Sequence, residues 1–171
     1  MQQRSLFQEH ITRICRDAEE ALRLAAAAGS AFDGIVLHAG RQTYYHADDQ
    51  EVSFHPTPHF ARFAPVGGPD HLILFRPGQA VRLVRVVPRD YWYEAPTSPS
   101  HPYAEVLDVV EAASREVPGP REEGEKNAEG LAFLLEMAGM RGVLCADAPR
   151  EAIAEWVALS MIPPSDFVTA A

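Results

Sequence analysis

Residues 22–38, LRLAAAAGSAFDGIVLH, decide the fold class. The end of an amphipathic helix runs into Gly29, and a short β-branched run, Asp33-Gly34-Ile35-Val36-Leu37-His38, follows at once. Upstream, Phe7, Ile11, Ile14, Cys15, Ala18, Leu22 and Ala25 recur at three- and four-residue steps, while Glu9, Arg13, Arg16, Glu19, Glu20 and Arg23 fall largely elsewhere. That spacing places one apolar stripe along a helix. Glycine accepts the left-handed turn that closes it. The Ile35–His38 run is too short and too apolar for a half-exposed strand and reads as a buried one. Helix, glycine, buried strand is the opening of an α/β layered fold.

Downstream, the pattern weakens from Ala39 to Pro69. Pro56, Pro58 and Pro65, with Gly67-Gly68, exclude a long regular element there. Long irregular segments inside compact domains are often functional, which makes this segment the first place to look for a site. His71 to Phe75 and Ala80 to Val87 read as a hairpin, because Arg76-Pro77-Gly78-Gln79 has turn chemistry. Pro88 breaks the second strand, and Pro96, Pro99 and Pro102 keep the next stretch open. Glu105 to Val110 reads equally as a strand or as the start of a helix. Pro118 to Asn127 reads as a solvated loop, Ala128 to Ala138 as a helix ended by Gly139, and Arg141 to Ala146 as another buried strand. Pro149 opens a further helix through Val157, proline being tolerated in a first turn that needs no amide donor. Pro163-Pro164-Ser165-Asp166 has the form of a helix start with only Phe167 to Ala171 behind it. A helix under two turns has little stability alone. The expectation is therefore a chain cut just as a helix begins.

Bulk properties narrow the function classes. The 171 residues suffice for one well-buried core, and 47% hydrophobic with 23% charged residues is a globular balance. A net charge of -9, from 24 acidic against 15 basic residues, argues against a sequence-independent grip on phosphate backbones or anionic lipid. Aromatic residues are 9% of the chain and are not interleaved with basic ones, which disfavours a base-stacking surface. No signal-peptide core or membrane-length apolar run is present, so the expectation is a cytoplasmic domain with neither a nucleic-acid nor a membrane partner. Cys15 and Cys145 sit among apolar residues and read as buried thiols.

The chemistry-bearing residues form no complete site. Seven histidines include no HExxH pair, and no GxSxG elbow, Walker loop or GxGxxG is found. His55 and His59 are four apart, but Pro56 and Pro58 prevent them from sharing a helical face. His38, ending a strand, reads as a hydrogen-bonded structural residue. Asp48-Asp49 stands out, set in the proline-rich segment among Tyr44, Tyr45 and Phe54. Adjacent carboxylates repel and need solvent, a cation or separate partners. In extended backbone they point opposite ways, so that one can face a pocket while the other caps a turn.

In these residues the chain resembles the N-terminal domain of bacterial Xaa-Pro dipeptidases (prolidases), of the creatinase/prolidase N-terminal domain family, related to the organophosphorus acid anhydrolases. The resemblance rests on Phe7-Gln8-Glu9-His10-Ile11, His38-Ala39-Gly40, Asp48-Asp49, Phe54, Pro58-His59-Phe60-Ala61, Pro65-Val66 and Pro88-Arg89-Asp90-Tyr91-Trp92, in the family's order and spacing. It is clear from about residue 7 to 96. It implies one α/β domain over residues 1–171, a mixed β-sheet flanked by helices, with a catalytic pita-bread domain expected after residue 171.

That missing domain would hold two manganese or similar divalent ions through two Asp, one His and two Glu, and would hydrolyse dipeptides with a C-terminal proline. On this resemblance the present chain has no catalytic residue and no metal ligand. It would contact its own catalytic domain and a homodimer partner, and its acidic loop would border the partner's pocket for a small peptide. Asp49 matches the family's acid that faces the dipeptide's free amine, and Asp48, a weaker candidate, would hold the loop. Tyr91 and Trp92 are assigned to packing.

Departures are Ala47 before the acid pair, Val52-Ser53-Phe54, Thr57-Pro58 and Ala61-Arg62-Phe63, and the charged loop of residues 118–127. They bear on substrate preference more than on fold. Two other readings stand beside this one. The first is a stand-alone, non-catalytic dimerisation or binding module with the same fold. The second is a small α/β enzyme using His38 or Asp49.

Overall fold

The stripe of Ile11, Ile14, Ala18 and Leu22 is buried along α1 (Gln2–Ala27), with Phe7 and Cys15 packed at its margin. In the computed structural model, which describes residues 2–47, 50–87, 102–112, 139–140, 142–146 and 167–169, this helix ends where glycine permits. Gly29 has φ +94°, Ser30 N–H donates to the Ala25 carbonyl at 2.9 Å, and Gly29 N–H donates to Ala26 at 3.0 Å. These two bonds close the last turn as a Schellman cap and satisfy carbonyls that would otherwise be orphaned.

The chain then enters β1 (Gly34–His38), every residue of which is buried. Antiparallel to it lies β2 (Leu72–Phe75), with Val36 opposite Leu74 and His38 opposite Leu72. A turn leads on to β3 (Arg82–Val86), and Gln79 N–H donates to Arg76 O at 3.1 Å across it. Pro77 presets the first central φ and Gly78, at φ +74°, supplies the second, the signature of a type II turn. The hairpin read from the sequence forms as expected.

Residues 105–110 contain both elements between which the sequence left the choice open. A single helical turn, α3 (Tyr103–Val106), ends at Leu107, which is extended, and β4 (Asp108–Ala112) follows parallel to β3. Two cross-strand pairs favour the strand. Arg82 Nε donates to Asp108 at 2.7 Å and Arg85 Nη1 to Glu111 at 2.7 Å. On the other side of β1 lies β5 (Val143–Ala146), parallel to it as the sequence suggested, and outside that β6 (Phe167–Thr169). The six-stranded order is β4-β3-β2-β1-β5-β6, a mixed sheet.

Here one expectation is overturned. Residues 167–169 form a strand rather than the first turn of a helix. The free edge of β5 offers a ladder to Phe-Val-Thr, residues of high β propensity, and tertiary pairing outweighs the Pro-Pro-Ser-Asp helix-start signal.

The main core lies where α1 crosses the sheet. Ile35, Leu37, Ile73, Phe75 and Leu83 meet Ile11, Ile14 and Leu22, with Phe60 and Phe63 alongside. Burial of each such side chain is worth about 1.5–3 kcal/mol. The opposite face is buried too, through Val36, Leu72, Leu74, Val84 and Val143. Burial on both faces explains why β1 reads as a continuous apolar run rather than as an alternating one. The helices expected at 128–138 and 149–157, the loop at 118–127, the strand break at Pro88, and Tyr91-Trp92 lie outside the described residues.

Candidate functional site

The irregular segment between β1 and β2 is built as an arm on a fixed root. Six of its residues form a helix that the sequence did not suggest, α2 (Pro58–Phe63), with proline in its first turn and Phe60 and Phe63 buried. The paired prolines read as breakers, yet Pro58 stands where a helix tolerates one. This helix pins the second half of the segment to the core through Phe60, Phe63, Ala64 and Val66.

The first half projects. Tyr44 bridges Glu51 in antiparallel fashion, Tyr45 N–H donates to Gln50 O at 3.0 Å, and Val52 N–H to Thr43 O at 2.9 Å. Gln42 reinforces the base by donating to Val52 O at 2.6 Å. The arms of this small hairpin are solvated, with Tyr44 and Tyr45 54% and 56% exposed, whereas aromatic side chains of this size are normally mostly buried. Ala47 takes a left-handed φ of +58° near the tip. Asp48 and Asp49 fall between the arms in sequence and lie outside the described residues.

The root is polar and buried. His38 is 4% exposed, and its Nδ1 accepts the Gly40 N–H at 2.9 Å. The structural, hydrogen-bonded role read for this residue is what the structure gives it. With Nδ1 accepting, the neutral ring carries its proton on Nε2, which faces Asp70 Oδ1 at 3.8 Å. Asp70 is buried and receives Arg41 Nε at 4.0 Å on the same oxygen. Thr57 Oγ1 donates to the His38 carbonyl at 2.7 Å, Thr57 N–H to Ala39 O at 2.9 Å, and Asp70 N–H to Gly40 O at 2.8 Å. Gly40 at φ +106° lies against the Phe54 ring and the Thr57 methyl.

A second buried imidazole closes the far end. His71 Nδ1 accepts Val86 N–H at 3.0 Å, and Nε2 donates to Gly67 O at 3.0 Å. Burial, then the charge on Arg41, then His71 push the His38 ring down to about 4. Burial lowers His71 as well, opposed by its bond to Gly67 and aided by Arg85. Both rings are therefore neutral at pH 7.

Sequence reading missed Asp70, His71, Arg85 and Thr57. The signal for two of them lay in strand alternation. His71 and Arg85 share the parity of Ile73 and Leu83, the face toward α1, so a polar residue there must be buried with partners. His55 is exposed ahead of α2, and His59 is exposed in its first turn. Cys15 is half-buried, and burial followed by the charge of Glu19 raises its thiol. Among the described residues no group of three or more His, Cys, Asp or Glu is placed to hold a metal ion. No described helix is long and apolar enough to cross a membrane.

Residues 5–128 match the family model described as Xaa-Pro dipeptidase, N-terminal domain. The chain belongs to that family. The Xaa-Pro dipeptidase of Stenotrophomonas maltophilia is 31% identical over 106 residues, 61% of this chain and 23% of that protein. That of Glaesserella parasuis is 35% identical over 96 residues, 56% and 21% of the two chains. A third, from Xanthomonas axonopodis pv. citri, is 26% identical over 106 residues, again 61% and 23%. The chain thus spans under a quarter of these relatives' length. The Xaa-Pro dipeptidase N-terminal domain match, residues 5–128, runs from the first turn of α1 through β1, the hairpin arm and the β2–β3 pair to β4.

Proposed function

We propose that this chain is the N-terminal domain of a metal-dependent Xaa-Pro dipeptidase of the cytoplasm, working as a homodimer and hydrolysing dipeptides that end in proline. The domain performs no chemistry alone. Its hairpin arm borders the partner subunit's pocket, where the Asp49 carboxylate faces the dipeptide's free ammonium and Asp48 steadies the loop. A carboxylate suits that role because a charge-assisted contact in a water-poor pocket both binds and orients. The two divalent ions of the reaction belong to the catalytic domain. Among the described residues no donor set is placed to hold them.

The observation that carries the reading is the arm itself: a solvated hairpin with two exposed tyrosines, mounted on a buried, fully hydrogen-bonded root. Such a mount suits a group that acts on something outside its own domain. Asp49→Asn in the longer protein tests this. KM for a free Xaa-Pro dipeptide should rise about tenfold or more, one charge-assisted contact being lost, and discrimination against the N-acetylated dipeptide should collapse. An unchanged KM and unchanged discrimination would remove Asp49 from the pocket.

A further inference from the structure

Both ends of the 39–69 segment are fastened to the sheet by an imidazole that accepts a backbone N–H. At the entry, His38 Nδ1 takes Gly40 N–H, and Gly40 O in turn takes Asp70 N–H. Asp70 holds a left-handed φ of +63°, uncommon for a residue with a side chain, while Gly40 at +106° takes a conformation open to glycine. At the exit, His71 spans from Val86 N–H on β3 to Gly67 O, and its ring lies against Gly68 so closely that a Cβ there would sit 3.0 Å from Nε2.

We propose that His38 is a proton-operated latch for the root of the hairpin arm, releasing Gly40 and the described residues of the arm that follow it when its ring is protonated, while α2 and the strands stay packed. His71 acts as the companion clamp on the Gly67-Gly68 turn.

The chemistry is an exchange of roles at one atom. Neutral Nδ1 accepts the Gly40 N–H, whereas protonated Nδ1 is a donor facing a donor, and the bond is lost. Charged and titratable groups facing His38 include Arg41 from the segment and, just ahead of β2, Asp70 and His71. Those facing His71 are His38 and, from β3, Arg85, with the Phe60 ring of α2 at a centroid distance of 6.3 Å. Asp70 favours the imidazolium, while burial, Arg41 and His71 oppose it, and burial dominates.

Release is local because the two halves of the segment are held differently. Residues 60–66 are fixed by the apolar burial of Phe60, Phe63, Ala64 and Val66, which a proton does not alter. The arm depends on Gly40, the Thr57 contacts and its own hairpin bonds, and its tyrosines contribute little burial. The inference stands apart from the dipeptidase reading, since it concerns how the arm is held and not what it touches.

Amide exchange of the 171-residue chain, corrected for intrinsic rates, tests it. A ring held at about 4 when closed and free to reach its ordinary 6.5 when open should cost the Gly40 and Asp70 amides about twenty-fold of protection between pH 7 and pH 5. The β2–β3 ladder, which opens only with the core, should stay more strongly protected than those two amides at both pH values. His38→Asn, whose amide oxygen accepts the same N–H without titrating, should make protection at Gly40 independent of pH.

Protection that does not change with pH overturns the latch. So does protection at Gly40 and Asp70 no weaker than that of the β2–β3 ladder, or pH dependence that persists in His38→Asn. Should that variant not fold, the ring nitrogens of wild-type His38 decide by NMR: their titration must coincide with the loss of Gly40 protection, and separate midpoints reject the proposal.

Discussion

Thr57 Oγ1 donates to the carbonyl oxygen of His38 at 2.7 Å, joining the residue that precedes α2 to the last residue of β1. The bond ties the two ends of the arm to each other. Thr57→Val keeps the shape and deletes the donor, leaving a part-buried carbonyl with one partner fewer. The expected cost is about 1 kcal/mol. Urea unfolding should show it as a lower midpoint at unchanged slope, and amide exchange should show the loosening concentrated at the arm.

Gly34 is required by proximity rather than by backbone dihedral. A Cβ at this position would overlap the carbonyl oxygen of Phe75 on the neighbouring strand and the terminal methyl of Met140. Met140 can move, but a paired strand cannot. Gly34→Ala should therefore destabilise by about 2 kcal/mol or more, in the range of overpacked cores. A variant with the wild-type thermal midpoint would show that β1 and β2 are less tightly opposed than the structure gives.

The two cross-strand ion pairs of β3 and β4 should differ sharply in value. Arg82 and Asp108 are both partly solvated, and Asp108→Asn should cost under about 1 kcal/mol. The Arg85 side chain is only 6% exposed, and its Nε has no hydrogen-bond partner among the described residues. Glu111→Gln then leaves a buried guanidinium poorly compensated and should cost clearly more than the Asp108 change, tempered by the solvent that reaches Glu111. Equal effects in a side-by-side urea titration would contradict this ordering.

Acid should weaken the fold through its two buried imidazoles. Both have folded-state values below the ordinary 6.5, His38 at about 4. Between those values the unfolded chain binds protons that the folded chain refuses. Stability is thus complete above about pH 7, falls as pH drops from about 6.5 toward 4, and receives no further loss from His38 below that. The His38 share is on the order of 3 kcal/mol. Unfolding free energies at pH 7 and pH 5 should reveal the slope, and His38→Asn should flatten it. A flat wild-type profile would mean that His38 is more solvated than its position implies.

Much of the scaffold was legible because local and tertiary signals agreed. The α1 stripe, Gly29, the Ile35–His38 run and the Pro77-Gly78 turn each specify by themselves what the packing also requires. Where they disagreed, packing won. Phe167–Thr169 became a strand because β5 had an edge to pair, against a helix-start signal in the residues before it. Pro58 opened α2 because Phe60 and Phe63 had a core to enter. The site was legible in part. The 39–69 segment could be singled out by its prolines and its acid pair, and His38 by its place at a strand end. Asp70 looks like an ordinary turn residue, and its burial depends on packing that no local pattern discloses; His71 reads as the start of a strand, and only alternation with Ile73 places it on the buried face.

An arm proposed to act across a subunit boundary is probed most directly by complementation between two inactive variants of the longer protein. One variant carries Asp49→Lys in this domain, and the other lacks a metal-binding carboxylate in the catalytic domain. If the arm completes the partner's pocket, mixed and re-associated dimers contain one intact site each and should recover about a quarter of wild-type dipeptidase activity, as random pairing in a twofold dimer dictates. A mixture that stays inactive although mass spectrometry shows heterodimers would contradict the account.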